Sequence, residues 1–204
     1  MIPFKPPFRI CCSGPSQCGK TQWTLKLLKH ANRMFDKPFD RIVWCYGEAQ
    51  ALRGLPNNVE VIRGVPDVAE LRKGQAKLVI IDDLMQEMDD SMTALFTRGS
   101  HHLDVSIVYL TQNIFYKGQR TMRLSCTHLV LFKNPSDKLQ IANLGRQLYP
   151  RASKHFVEAF QDGTKKPHSY LLVDLTQEAD DKLRLRTNIF PDELCTVYVI
   201  RSKV

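Results

Sequence analysis

The segment Gly14-Pro15-Ser16-Gln17-Cys18-Gly19-Lys20-Thr21 has the residue types and spacing needed to hold a polyphosphate. Gly14 and Gly19 admit backbone angles closed to other residues, so successive N–H groups can converge on a phosphate. The apolar run Phe8-Arg9-Ile10-Cys11-Cys12-Ser13 before it reads as a buried strand. After it, Trp23, Leu27, Ala31 and Met34 recur at helical spacing, which predicts a helix from Thr21 to about Met34. A loop between a strand and a helix is the context in which this pattern binds a nucleoside triphosphate, and the helix adds the positive end of its dipole. Lys20 is placed for the β- and γ-phosphates and the Thr21 hydroxyl for Mg²⁺. Pro15, Ser16, Gln17, Cys18 and Gln22 complete the expected ATP-binding set.

Asp82 and Asp83 close the apolar run Leu78 to Ile81, the layout in which an acid at a strand tip binds Mg²⁺, usually through water. Asp82 is the expected metal residue. Asp83 stands where many ATPases carry a glutamate that activates the attacking water, but it is one methylene shorter. It could instead cap the following turn, and Glu48 and Glu87 are rival bases. Gln112, in Thr111-Gln112-Asn113 after the next apolar strand, can hydrogen-bond both a γ-phosphate and a lytic water, although a loop would also tolerate it. Arg98 lies just ahead of that strand and could serve a neighbouring subunit's γ-phosphate. His101 and His102 are adjacent, face different ways, and read as structural or surface residues rather than a metal pair. Lys133-Asn134-Pro135-Ser136-Asp137-Lys138 has the wrong order for guanine recognition, which favours ATP.

The elements that must position these residues alternate. Strands are expected at Arg41–Tyr46, Val59–Ile62, Lys77–Asp82, Val105–Leu110, His128–Phe132 and Ser169–Asp174, with edge strands near Arg184–Thr187 and Thr196–Ile200. Helices are expected over Asp67–Lys73, from about Asp90 through Leu95 and Phe96, over Asp137–Leu148 and over Ser153–Phe160. Continuous apolar strands between helices predict an α/β P-loop NTPase fold of the ASCE/RecA-like kind, a mostly parallel central sheet with helices on both faces. Ligands in such sheets bind at the carboxyl ends of the strands, where these motifs fall.

The chain has 204 residues, read as one domain over 1–204 with a core of about 8–175 and a short β-rich appendage over 176–204. No apolar run approaches the ~18 residues of a membrane span, and Met1 to Arg9 lacks the layout of a signal peptide. Both favour a soluble intracellular protein. Six cysteines without C-x-x-C spacing read as reduced thiols. The net charge of +8 suits phosphate-rich partners. Arg120, Arg123, Arg146, Arg151, Lys154, Lys165, Lys166 and Lys117 could line a DNA channel or simply form solvated faces.

The loop Gly14–Thr21 is joined by five further blocks: Arg-Ile-Val-Trp-Cys-Tyr-Gly (41–47), Val-Ile-Ile-Asp-Asp-Leu (79–84), Leu-Phe-Thr-Arg-Gly-Ser-His-His (95–102), Tyr-Leu-Thr-Gln-Asn (109–113) and Leu-Phe-Lys-Asn-Pro-Ser-Asp-Lys (131–138). Together they resemble the viral genome-packaging ATPases of the FtsK/HerA superfamily, most closely those of adintoviruses and Maverick/Polinton elements, over residues 8 to 175. The resemblance implies ATP hydrolysis coupled to translocation of double-stranded DNA into a capsid. It also implies a homo-oligomeric ring, pentamer or hexamer, around the DNA, with a capsid or portal protein as partner. Arg98 becomes a trans-acting arginine finger and Gln112 the sensor, and assembly occurs in the host nucleus or cytoplasm. The Asp-Asp pair departs from the Asp-Glu of many members. A minimal motor is expected, with no membrane segment and no nuclease domain. The competing classes are a small-molecule phosphotransferase, which would want an arginine-rich lid, and a non-catalytic nucleotide switch.

Overall fold

The computed structural model describes residues 2–47, 54–66, 71, 75–82, 84, 95–96, 103–115 and 120–199. The apolar runs become β1 (Arg9–Ser13), β2 (Arg41–Tyr46), β3 (Val59–Arg63), β4 (Lys77–Asp82), β5 (Val105–Thr111), β6 (His128–Phe132) and β7 (Tyr170–Asp174), followed by the short β8 (Leu185–Thr187) and β9 (Thr196–Tyr198). They form one nine-stranded sheet in the order β3-β2-β4-β5-β1-β6-β7-β8-β9. The strands from β3 through β6 pair in parallel, and β7, β8 and β9 add on antiparallel.

Each central strand feeds two cores. Along β4, Val79 and Ile81 enter one apolar cluster and Leu78 and Ile80 the other. That alternation explains why the sequence run is unbroken: both faces are covered. One face is covered by α1 (Lys20–Lys29) and α2 (Ala31–Met34), through Trp23, Leu27, Leu28 and Met34. The other is covered by α3 (Arg120–Ser125), α4 (Leu139–Leu148) and α5 (Ser153–Gly163), through Met122, Ile141, Leu144, Phe156 and Phe160. Leu95 and Phe96 are buried in this second core, where Phe96 meets Tyr109 edge-on at 6.0 Å.

The helix expected through Met34 breaks at His30, whose backbone (φ −104, ψ 22) leaves the helical region. A further turn, α2, then brings Met34 into the core. The side-chain spacing runs across the break unchanged, so it carried no sign of it. α3 was not expected, because its six residues bury only Met122 and show no period. The helices expected over 67–73 and from about 90 lie outside the described residues, Leu71, Leu95 and Phe96 excepted. The carboxyl-terminal segment continues the sheet, and Ile189 and Phe190 pack against α1 in the first core. Lys26 fastens it there, 2.7 Å from Glu193, 3.1 Å from Asp192 and 4.8 Å above the Phe190 ring. All six cysteines are free thiols, four of them buried.

Candidate functional site

The strand order puts β5 between β4 and β1, and the parallel registers align their ends. Ser13 sits beside Thr111, and Leu110 beside Asp82. Gly14 N–H donates to the Thr111 carbonyl at 3.1 Å, so the loop starts tied to the tip of β5. On its other side Gly14 lies against β6, where a Cβ would come within 2.7 Å of Phe132 Cβ.

Within the loop Cys18 N–H donates to Pro15 O at 3.3 Å, and Gln17 takes a left-handed backbone (φ 64). Gly19 is also left-handed (φ 109) and is the residue from which α1 starts, with Trp23 N–H donating to its carbonyl at 2.8 Å. Left-handed residues at alternate positions of a loop help turn N–H groups to one side, as an anion-binding concavity requires. The Lys20 ammonium reaches back to donate to Gly14 O (2.7 Å) and Pro15 O (2.9 Å). Its charge is thereby held across the loop. Burial pushes the Cys12 and Cys18 thiols up, more than the Lys20 charge pulls them down, so neither is a thiolate at neutral pH.

Thr21 is half-buried in the first turn of α1, and Asp82 is buried at the tip of β4. A hydroxyl and a carboxylate are the hard oxygen donors that Mg²⁺ takes, so this donor set fits the ion. Gln112 is exposed just beyond β5. Its neighbours shape the turn: Asn113 N–H donates to Thr111 Oγ1 at 3.3 Å, and Asn113 Oδ1 accepts from Phe115 N–H at 2.7 Å. The Asn113 side chain is thus committed to the loop. The structure therefore brings Gly14 to Thr21, Asp82 and Gln112 together at the carboxyl ends of the central strands. Asp83, Arg98, Glu48, Glu87, His101, His102 and Lys117 lie outside the described residues.

No protein-family model and no curated protein sequence matches the chain. Among solved structures it is similar to the genome packaging NTPase B204 from Sulfolobus turreted icosahedral virus 2, determined in complex with ATP-γ-S. The TM-score is 0.57 at 10% identity, over 96% of this chain and 98% of that one. The fold is that of a P-loop NTPase. The cytoplasmic domain of the type VII secretion ATPase EccC from Thermomonospora curvata is similar at a TM-score of 0.50 and 10% identity, over 96% of this chain but 24% of that one. At such identity the likeness is one of architecture. No helix among the described residues is long and apolar enough to cross a membrane.

One residue beside the loop carried no motif in the sequence. His168, in the turn between α5 and β7, lies where a Cβ on Gly19 would meet its own Cβ at 3.2 Å and its Nδ1 at 3.4 Å. The only sequence hint was Pro167 ahead of a residue that is not glycine.

Proposed function

We propose that this chain is an ATP-hydrolysing DNA translocase of the FtsK/HerA type that packages viral double-stranded DNA into capsids, akin to the motors of adintoviruses and Maverick/Polinton elements. The observation that carries the reading is the convergence of Gly14 to Thr21 with the tips of β4 and β5 at the carboxyl end of the sheet. The fold shared with a viral genome packaging NTPase supports it, as does the net charge of +8.

In this reading N–H groups of the loop between Ser16 and Thr21 cradle the phosphates, and Lys20 exchanges its loop carbonyls for β- and γ-oxygens. Thr21 and Asp82 hold Mg²⁺, which when bound neutralises charge developing on the transferred phosphoryl group. Asp83 takes a proton from the attacking water, and Gln112 orients that water against the γ-phosphate. Arg98 from the adjacent subunit stabilises the transition state, so the active unit is a homo-oligomeric ring around the DNA, docked on a capsid or portal protein. These roles rest on the motif blocks, and for Asp83 and Arg98 on those blocks alone.

The decisive measurement is steady-state ATP hydrolysis with and without double-stranded DNA. The wild type should be stimulated, and the stimulation should fade as salt rises because phosphate contacts release counterions. Lys20→Ala should abolish turnover under both conditions. Equal wild-type turnover with and without DNA would favour a phosphotransferase instead.

A further inference from the structure

We infer that the turn from Lys166 to Ser169 walls the nucleoside end of the ATP site, and that His168 is a nucleotide-binding residue packing its imidazole on the ribose and base. The inference rests on the nucleotide reading above and names a contact that reading does not contain.

Contact is the first ground. The turn presses on the phosphate loop at Gly19: a Cβ there would lie 3.2 Å from His168 Cβ, 3.4 Å from Nδ1 and 3.6 Å from Cα. Glycine at position 19 thus serves two needs, its own left-handed backbone and the room His168 occupies.

The backbone of His168 is the second ground. Lys166 O accepts from Ser169 N–H at 3.3 Å, Pro167 holds the second position, and His168 at the third has φ 61. This is the pattern of a type II turn, whose third position calls for glycine or asparagine. A side chain there is disfavoured, and such conformations persist where the surroundings over-determine them, often at ligand sites.

The turn is also held at both ends. Thr164, buried at the end of α5, donates to Phe160 O at 2.7 Å, and Ser169 Oγ donates to Lys166 O at 2.6 Å. Tyr170 opens β7 opposite Phe132 of β6, and its ring meets Trp23 of α1 edge-on at 5.9 Å. The strand that follows His168 is therefore packed against the helix that starts at the phosphate loop.

Orientation completes the argument. The loop N–H groups cradle the α- and β-phosphates while Lys20 serves the β and γ end. The nucleoside must then leave the loop past Gly19 and the first turn of α1. His168 is exposed on that flank and offers an aromatic face to a base.

Glycine is the informative substitution, because it suits the turn and removes only the ring. Binding of Mg·ATP and of magnesium tripolyphosphate to the full chain should be measured by calorimetry for wild type and His168→Gly. The variant should keep or raise its Tm and bind tripolyphosphate within twofold of wild type. It should lose about tenfold in ATP affinity, the size of one base–aromatic stack. Unchanged ATP affinity overturns the inference. So does an equal loss for both ligands, which would put the ring on the phosphates or on the loop's shape. A wild type that binds neither ligand overturns the nucleotide site, and this inference with it.

Discussion

A methyl group on Gly14 would lie 2.7 Å from Phe132 Cβ and 2.7 Å from Cys18 Sγ, well inside the ~3.5–4.0 Å of favourable carbon contact. The two obstacles differ in kind. The thiol can turn about its χ1, but Phe132 Cβ is fixed to the backbone of β6, inside the sheet. Gly14→Ala must therefore push the loop away from β6, against the hydrogen bond from Gly14 N–H to Thr111 O. Overpacking of this kind costs about 1–3 kcal/mol. Thermal denaturation should show a lowered Tm, and ATP binding should be lost because the cradle no longer closes. An alanine variant with wild-type Tm and wild-type ATP affinity would show that the loop does not need this close approach. The glycine at position 19 answers to a different constraint, a left-handed backbone against His168, so the two glycines of one motif are required for separate reasons.

At the scale of elements, the antiparallel extension of the sheet depends on one buried acid at the end of β7. Asp174 accepts from Arg186 Nη2 of β8 at 2.9 Å and from Thr176 Oγ1 at 2.7 Å, and lies 3.6 Å from His128 Nε2 of β6. Burial alone would raise its pKa, but the hydrogen bonds from His128 and Thr176 prevail and hold it well below the usual carboxylate range. A carboxyl depressed in the folded state stabilises above its unfolded pKa, near 3.9, and that stability is lost as pH falls toward the folded value. Asp174→Asn, which leaves Arg186 buried without its counter-charge, should cost about 3 kcal/mol in urea unfolding at pH 6. The gap to wild type should shrink below about pH 4. A gap of full size at pH 3 would mean that the charge is not what matters. Elements of this kind were legible in the sequence when both of their faces are covered: β4 and β6 begin and end where their apolar runs do. The break at His30 and the short α3 were not, because neither disturbs or creates a periodic pattern. In the candidate site, the placement of the loop Gly14 to Thr21 and of Asp82 at a strand tip was legible because both follow from local sequence pattern. His168 was not, because antiparallel pairing of β7 on β6 brings it to Gly19 from far along the chain.

For the whole molecule, the sheet order collects the motif residues at the carboxyl ends of its central strands. Gly14, Asp82 and Gln112 follow or end three adjacent parallel strands, β1, β4 and β5. A site at the open end of the strands can be completed by another subunit, and in the proposed ring Arg98 does so. In a ring each interface pairs the phosphate loop of one subunit with the arginine of the next, a heterologous contact closed by rotation. That asymmetry makes the assignment testable by complementation. Lys20→Ala subunits keep Arg98 but cannot use ATP, and Arg98→Ala subunits keep the loop but lack the finger. Each variant alone should be nearly inactive, since an arginine finger is worth about 10³–10⁵ in rate. Mixed in equal amounts and assembled on double-stranded DNA, about a quarter of the interfaces pair an intact loop with an intact finger. DNA-stimulated turnover should therefore return to at most about a quarter of wild type. It should peak near equal amounts and vanish at either extreme. If sedimentation shows mixed rings and turnover stays absent at every ratio, Arg98 is not acting across the interface. The active site would then have to be completed within one chain.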